Sequence, residues 1–312
     1  MFGEVVGMEI VKLLAAAALA VLVAGCAASP EASEQHEHGN SLTAPVAGDP
    51  IWTQPRAPIR VHGDTYYVGT EGISSVLIRT DEGLILLDVG MPQSAPQVED
   101  NIRTLGFAVE DLKYVLSSHT HVDHAGGIAA VVHDSGATAV SSPIGAQSLR
   151  AGHVSADDPQ ASDTANAAFP AVERVREVAD GEVLKLGNVA LTAHFTPGHT
   201  PGGVSWTWKS CEGGRCLDMV YADSLNAVAT GNYRFTPGHV SRFRQSIQTV
   251  RALPCDILFS VHPEQADDIT KLNRLAVQRD PNPMIDPTAC TALADTFDAK
   301  LDKRIADERA AR

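Results

Sequence analysis

Three histidines and one aspartate lie within six residues, in the run His119-Thr120-His121-Val122-Asp123-His124. Neutral imidazole nitrogens and short carboxylates are the ligands that zinc prefers in proteins, apart from thiolates. An isolated histidine in a loop is usually only solvated, whereas four ligand-type side chains at this spacing match the requirements of a metal site. The run therefore predicts a zinc site.

The segments on either side of this run predict how its side chains are arranged. Residues 113–118, Lys-Tyr-Val-Leu-Ser-Ser, predict a buried strand, and two glycines precede a predicted helix over 128–132. Alternate residues of an extended segment point the same way, so His119 and His121 can bind one ion from one side. The last two ligands of the run, displaced by the turn, are free to bind a second ion.

Further histidines follow strand-like segments elsewhere in the chain. His199 lies in the run Thr-Pro-Gly-His-Thr-Pro-Gly-Gly, and His262 lies between an apolar segment and Pro263. Both end predicted strands, where a rigid backbone positions a ligand well, so they are the candidates to complete the two sites. His239 opens a predicted helix instead and is predicted to be a capping or surface residue.

Composition limits the classes of partner. The chain has 312 residues, of which 44% are hydrophobic, so it can bury one large α/β core or two smaller ones. Its 24 basic and 38 acidic residues give a net charge of −14, which argues against a nucleic-acid partner because such a partner needs a basic face. We interpret the acidic excess as serving solubility.

The N-terminal region predicts export. The apolar run from Leu13 to Ala24 has 12 residues, which is too short to span a bilayer and typical of a signal-peptide core. Residues 1–25 are predicted to be a signal peptide of the lipoprotein type, because the run ends in Val-Ala-Gly-Cys26, which resembles a bacterial lipobox. Acylated Cys26 would tether the protein to a membrane, and the alternative is ordinary cleavage near Ala28 with Cys26 discarded. Both alternatives predict a periplasmic protein.

A linker is predicted between the signal peptide and a single domain over 51–312. Residues 26–50 are rich in Ala, Ser, Pro, Glu and Gly and contain few large apolar residues, as flexible tethers do. His36 and His38 lie in this linker and are predicted to be solvated, because a mobile tether is a poor place for a preorganised site.

Four cysteines remain after Cys26, and four cysteines allow three disulfide pairings. Cys211 and Cys216 flank Glu-Gly-Gly-Arg, a turn that could close a hairpin, and this pairing leaves Cys255 for Cys290. In an oxidising compartment these two disulfides are favoured over free buried thiols. A zinc–thiolate site would need two pairs spaced like Cys-x-x-Cys, which the sequence lacks.

The predicted elements form two sheet-rich halves, each with helices outside. Strands are predicted over 64–69, 73–79, 84–88, 113–118, 137–141, 174–178, 182–186, 189–195, 203–209, 217–222 and 256–260. Helices are predicted over 95–105, 128–132, 143–150, 240–253, 267–278 and 288–305. This order fits an α/β fold in four layers, an αββα sandwich. The polar stretch 151–169 is predicted to be a mobile flap over the site.

The ligand run, together with His199 and His262, resembles the metallo-β-lactamase fold superfamily over essentially all of residues 51–312. Asp223-Ser224-Leu225 and the Cys255/Cys290 pair resemble subclass B3, because the other subclasses place a cysteine on the second zinc and Ser224 stands near that position. The resemblance implies two zinc ions. Their ligands would be His119, His121 and His199 for the first, and Asp123, His124 and His262 for the second.

The same resemblance implies hydrolysis of the amide bond of β-lactam antibiotics, and hence antibiotic resistance. Zinc lowers the pKa of a bound water to about 7, so a metal-bound hydroxide is available to attack the lactam carbonyl. Asp123 would orient this nucleophile and help to pass a proton to the leaving nitrogen. Ser224 and Asn226 would bind the substrate carboxylate, although relatives commonly have Ser or Thr where this chain has Asn226.

Other functions remain open at the level of sequence. Glyoxalase II-like thioester hydrolases and lactonases share the fold, and many bridge their two metals with an Asp in a Gly-Asp-Thr context, which Ala222-Asp223-Ser224 resembles. We interpret Asp223 as structural because of its B3-like surroundings. A non-catalytic zinc-binding lipoprotein would tolerate a closed metal site, whereas an enzyme needs an open position. The nucleophile motifs of serine hydrolases are absent.

Overall fold

The computed structural model describes residues 41–311. The predicted signal peptide, Cys26, His36, His38 and the first part of the predicted linker lie outside the described residues. Within residues 41–311, every helix is too short or too polar to cross a bilayer. In the last part of the linker, Val46 exchanges two hydrogen bonds with the side chain of Gln93, and Leu42 packs against the core.

A seven-stranded sheet forms the first half of the domain. Its strands lie side by side in chain order: β1 (Ile59–His62), β2 (Thr65–Tyr67), β3 (Val76–Thr80), β4 (Gly83–Leu87), β5 (Leu112–Leu116), β6 (Thr138–Ser141) and β7 (Val175–Glu177). Strands β1 to β4 pair antiparallel, and β4 to β7 pair parallel. The parallel part needs crossover helices, which are α1 (Ala95–Thr104), α2 (Val122–Ala125), α3 (Ile128–Ser135) and α4 (Pro143–Ala151).

A five-stranded sheet forms the second half. Its strands are β8 (Val183–Leu186), β9 (Val189–Phe195), β10 (Val204–Glu212), β11 (Arg215–Ala222) and β12 (Ile257–Ser260), in the spatial order β12-β11-β10-β9-β8. All neighbours pair antiparallel except β11 and β12, which are parallel. Its helices are α5 (Pro237–Ala252), α6 (Asp268–Val277) and α7 (Ala289–Ala310).

Three buried clusters separate four layers and confirm the predicted αββα sandwich. Consecutive residues of β3 and β4 face opposite ways: Leu77 and Leu86 pack with the helices of the first half, while Ile78 and Ile85 pack against the second sheet. A third cluster joins the outer face of the second sheet to α5 and α7. The central cluster is therefore shared by both sheets, as paired sheets with one buried face each require.

The structure differs from the sequence-based expectations mainly in short elements. Strand β1 was not predicted, because four residues at a sheet edge carry little periodic signal. The turn that follows His121 is a single helical turn, α2, which carries Asp123 and His124. The stretch 151–169 contains no strand beyond an isolated bridge and closes on itself through hydrogen bonds from Val154 to Ala167 and from Phe169 to Gly152.

Both predicted disulfides are present. Cys211 and Cys216 face each other across the β10–β11 hairpin, and Cys255 is bonded to Cys290 at the start of α7. The first closes a turn of two glycines with positive φ, which are Gly213 and Gly214. The second disulfide ties the segment that leads into β12 to the outer helical layer.

Candidate metal centre

The three histidines expected to bind one ion lie together. The ring centroids of His119, His121 and His199 are 4.7–5.0 Å apart, and all three side chains are buried. One nitrogen of each lies within 4.8 Å of one nitrogen of the others, so the group could hold a metal ion. His121 has extended backbone dihedrals, φ −86° and ψ 154°, which places it on the same side of the segment as His119.

The other three predicted ligands form a second, adjoining group. Nε2 of His124 is 3.1 Å from Nε2 of His262 and 3.2 Å from Oδ2 of Asp123, and His262 Nε2 is 3.4 Å from the same oxygen. A tetrahedral zinc bound at about 2.0–2.1 Å has its ligand atoms about 3.3–3.4 Å apart. The triangle of ligand atoms therefore fits one face of a zinc tetrahedron. His119, Asp123 and His124 also meet the distance requirement for a metal group.

Asp223 contacts the group of His119, His121 and His199 through His119. Its Oδ1 lies 2.8 Å from Nδ1 of His119, a close contact rather than a well-aligned hydrogen bond, since this oxygen has no hydrogen-bond partner. Burial raises the pKa of the Asp223 carboxyl well above its ordinary value. Gly203 makes room for it, because a Cβ at that position would lie 2.1 Å from Oδ2. The Ser118 hydroxyl oxygen lies 3.1 Å from the same Nδ1. Asp223 and Ser118 therefore both contact Nδ1 of His119, and Nε2, the other ring nitrogen, is buried and has no partner.

The other two imidazoles of this group are each held by a hydrogen bond at one ring nitrogen. Nδ1 of His199 is 2.8 Å from the backbone carbonyl oxygen of Asn226, which requires the proton on Nδ1 and leaves the lone pair on Nε2. Nε2 of His121 is 3.1 Å from Oδ1 of Asp158. Histidines that bind metals almost always donate their other ring N–H to a carboxylate or a backbone carbonyl.

Asp88 organises the backbone beneath the centre. It follows β4 with φ of 51°, a left-handed conformation that is unusual for a residue other than glycine. Its carboxylate accepts hydrogen bonds from the backbone N–H and the hydroxyl of Ser118, at 2.8 and 2.5 Å, and from the Tyr221 hydroxyl at 3.0 Å. Its Oδ2 is also 3.6 Å from Nδ1 of His124. The residue just before His119 is therefore fixed in place.

The electrostatics of the centre suit a cation. Burial, and then the neighbouring His124, lower the pKa of His119 well below its ordinary value, so this imidazole keeps a lone pair. Burial raises the pKa of Asp123, but His124 lowers it by more, and the carboxyl stays ionised. Burial lowers the pKa of His124, but Asp123 raises it by more, to about 10. Positive charge is thus favoured beside Asp123.

The residues of the two groups fit zinc. The donor set is imidazole and carboxylate, His119 Nε2 is a buried nitrogen with no partner, and the outer ring nitrogens are held by oxygens. The six predicted ligands are brought together, although they come from three separate parts of the chain.

A cavity of 370 Å³ opens above the two groups. Its floor contains His121, Asp123, His199 and His262, and its walls come from the stretch 151–169 and from the loop after β11. Ser224 and Asn226, the predicted substrate-binding residues, both line it. The remaining lining residues include three acidic side chains, Asp49, Asp163 and Glu264, and no lysine or arginine of the described residues lines it.

Some functional residues escaped the sequence analysis. Asp158 lies in a polar stretch where no spacing marks it, and Asp88 ends an apolar strand as many turn residues do. His239 was expected to be a capping or surface residue, and this was wrong: it is buried, with Nε2 2.8 Å from the Gly198 carbonyl and Nδ1 2.6 Å from the Tyr233 hydroxyl. The helix is capped by Thr236 instead.

Comparison with known proteins agrees with this geometry. Residues 68–262 match the family model of the metallo-beta-lactamase superfamily. The chain is 46% identical to MEM-A1, a subclass B3 metallo-beta-lactamase isolated from a soil metagenome library, with a TM-score of 0.80 over 84% of this chain and 100% of that one. It is 34% identical to BJP-1, a subclass B3 metallo-beta-lactamase of Bradyrhizobium japonicum, with a TM-score of 0.77 over 84% and 98% of the two chains.

A curated relative with another activity matches a smaller part. An N-acyl homoserine lactonase of Bacillus sp is 32% identical in an alignment of 151 residues that covers 40% of this chain. The chain spans 54% of the length of that relative. Because the family model covers more than half of the chain and the B3 structures are matched over nearly their whole length, the chain belongs to the metallo-beta-lactamase superfamily and groups with its subclass B3 members.

Proposed function

We propose that this protein hydrolyses the amide bond of β-lactam antibiotics with two zinc ions. The observation that carries the proposal is the convergence of two adjoining groups of ligand atoms on the floor of one open cavity. The identity to subclass B3 enzymes over nearly their whole length supports the same activity. The open cavity also favours an enzyme over a zinc-storage protein, which could use a closed site.

The residues of the chain have separable roles in this reaction. Bound zinc supplies an activated water at neutral pH and a site for the developing oxyanion charge. His119, His121 and His199 would hold the first ion, and Asp123, His124 and His262 the second. Asp123 stays ionised, so it accepts a hydrogen bond from the attacking water and orients it towards the lactam carbonyl carbon. The water oxygen would bond to the carbonyl carbon as the C–N bond breaks, and Asp123 would relay the proton that this water loses to the leaving nitrogen.

Substrate recognition depends on uncharged groups of the chain. With acidic residues and no cation among the described lining residues, the cavity offers the substrate carboxylate only the metal ions and neutral donors. Ser224 is buried at its base, and the backbone N–H of Asn226 donates to the Ser224 hydroxyl at 3.4 Å. We propose that the Ser224 hydroxyl and the Asn226 amide bind this carboxylate.

A lactonase is the second candidate, since curated relatives include lactonases. A lactonase of this fold would be expected to bridge its metals with Asp223. The contact of Asp223 Oδ1 with Nδ1 of His119 favours a supporting role instead, because the carboxylate reaches the outer nitrogen of a ligand. We therefore prefer the β-lactam substrate.

The first prediction concerns activity. The purified protein should hydrolyse a chromogenic cephalosporin, lose this activity with a chelator and regain it with zinc. His199→Ala removes a ligand and should lower kcat/KM by about 100-fold or more. His194→Ala is the matched control, because His194 lies on β9, the strand that precedes His199, and its side chain hydrogen-bonds Thr207 at 2.8 Å, away from the two ligand groups. Turnover of homoserine lactones by a zinc-loaded protein that is inert towards penicillins, cephalosporins and carbapenems would contradict the proposal.

The second prediction concerns Asp223. If it supports His119 from outside the coordination sphere, Asp223→Asn should retain two zinc ions per chain but bind them about 10- to 100-fold more weakly. Elemental analysis gives the stoichiometry, and competition with a chromophoric chelator gives the affinity. Asp218→Asn is the control, because Asp218 lies on β11, the strand that leads to Asp223, but is paired with Lys209 at the surface. Loss of one ion per chain in Asp223→Asn would show that Asp223 is a ligand and would favour the lactonase.

The third prediction separates two parts of Asn226. Its backbone carbonyl holds His199, whereas its side chain is proposed to bind substrate. Asn226→Ala should therefore raise KM for a cephalosporin by about tenfold, the effect of losing a hydrogen bond to a charged group, while the zinc affinity stays unchanged. Steady-state kinetics and chelator competition measure the two effects. An unchanged KM would remove Asn226 from the substrate site.

A further inference from the structure

Asp158 is a buried carboxylate that the proposed reaction does not use. It lies in the loop 151–169, whose other residues form one wall of the cavity, and its side chain is only 1% exposed. One oxygen, Oδ1, lies 3.1 Å from Nε2 of His121, and the other, Oδ2, is buried with no hydrogen-bond partner. Burying a carboxylate with an unpaired oxygen is costly unless positive charge lies nearby.

The contact determines how His121 can bind a cation. A carboxylate can only accept, so the proton of the imidazole must lie on Nε2, and Nδ1 keeps the lone pair. Nδ1 lies 3.3 Å from the side-chain amide nitrogen of Gln160, another residue of the same loop that lines the cavity. When a cation binds at Nδ1, it withdraws electron density from the ring and strengthens the N–H donor that faces Asp158.

The loop is joined to a second loop that holds another histidine of the same group. The backbone N–H of Thr230 donates to the Pro159 carbonyl at 3.0 Å, and the hydroxyls of Ser162 and Thr230 are 2.8 Å apart. Thr230 belongs to the loop after β11, whose Asn226 carbonyl holds His199. The two walls of the cavity are therefore bonded to each other, and each of them fixes one imidazole.

We propose that Asp158 is a positioning residue, which orients His121 for the metal and makes the order of the loop 151–169 depend on metal binding. By linkage, any factor by which the bound metal stabilises the closed loop is also the factor by which the closed loop raises metal affinity. The inference rests on the metal centre of the proposed function but not on its β-lactam substrate, so zinc binding alone can test it.

The first measurement is zinc affinity by competition with a chromophoric chelator. Asp158→Asn keeps the shape and one acceptor oxygen but loses the charge, and should weaken zinc binding about tenfold. Asp158→Ala should weaken it about 100-fold, at the upper end of the effect of such outer partners. Asp157→Asn is the matched control, because Asp157 is the exposed neighbour. Circular dichroism of the metal-free variants shows whether they are folded.

The second measurement is hydrogen–deuterium exchange of the full chain with and without zinc. In the unmodified protein, zinc should slow exchange in peptides covering 151–169 and the Thr230 segment, and Asp158→Asn should reduce this protection by about the same factor as it reduces zinc affinity. The inference is overturned if Asp158→Asn, folded, binds zinc as tightly as Asp157→Asn does, or if its loop gains the full zinc-dependent protection. A protein that binds zinc in this way yet hydrolyses no β-lactam would overturn the proposed function alone.

Discussion

Each imidazole of the three-histidine group is contacted at one ring nitrogen by an oxygen atom from a different part of the chain. Asp223 contacts His119, Asp158 contacts His121, and a backbone carbonyl contacts His199. An imidazole is a useful zinc ligand only if its lone pair is aimed at the ion, and the oxygen on the other nitrogen decides both the tautomer and the direction. The remaining structure is needed to bring those three oxygens to one place.

The paired sheets supply that place. Asp88, at the end of β4, accepts hydrogen bonds from Ser118 next to the ligand run and from Tyr221 of the second sheet. The Trp206 indole N–H, also from the second sheet, donates to the Ser117 carbonyl at 3.2 Å. The two halves are thus hydrogen-bonded to each other directly beneath the metal centre.

Every described charged residue that lines the cavity is acidic or a predicted metal ligand. The electric field in the cavity therefore favours a divalent cation, and recognition of an anionic substrate is left to the metal ions and to neutral donors.

Much of this was predictable from local sequence signals. The ligand set was predictable from the spacing of His119 to His124 and from the strand-like segments before His199 and His262. The four layers were predictable from the pattern of apolar residues in the strands and helices. The supporting oxygens were less predictable, because Asp158 and the Asn226 carbonyl act through contacts between residues 37 and 27 positions apart. The prediction for His239 was wrong for the same reason. The start of its helix is visible in the sequence, whereas its contact with the Gly198 carbonyl, 41 positions away, is not.

The most direct measurement of the central claim is anomalous diffraction above and below the zinc absorption edge, from crystals of the zinc-loaded protein. The account predicts two zinc peaks: one bonded to His119, His121 and His199, with Asp223, Asp158 and the Asn226 carbonyl on their outer nitrogens, and one bonded to Asp123, His124 and His262. A single peak, or a peak bonded to the Asp223 carboxylate, would contradict it.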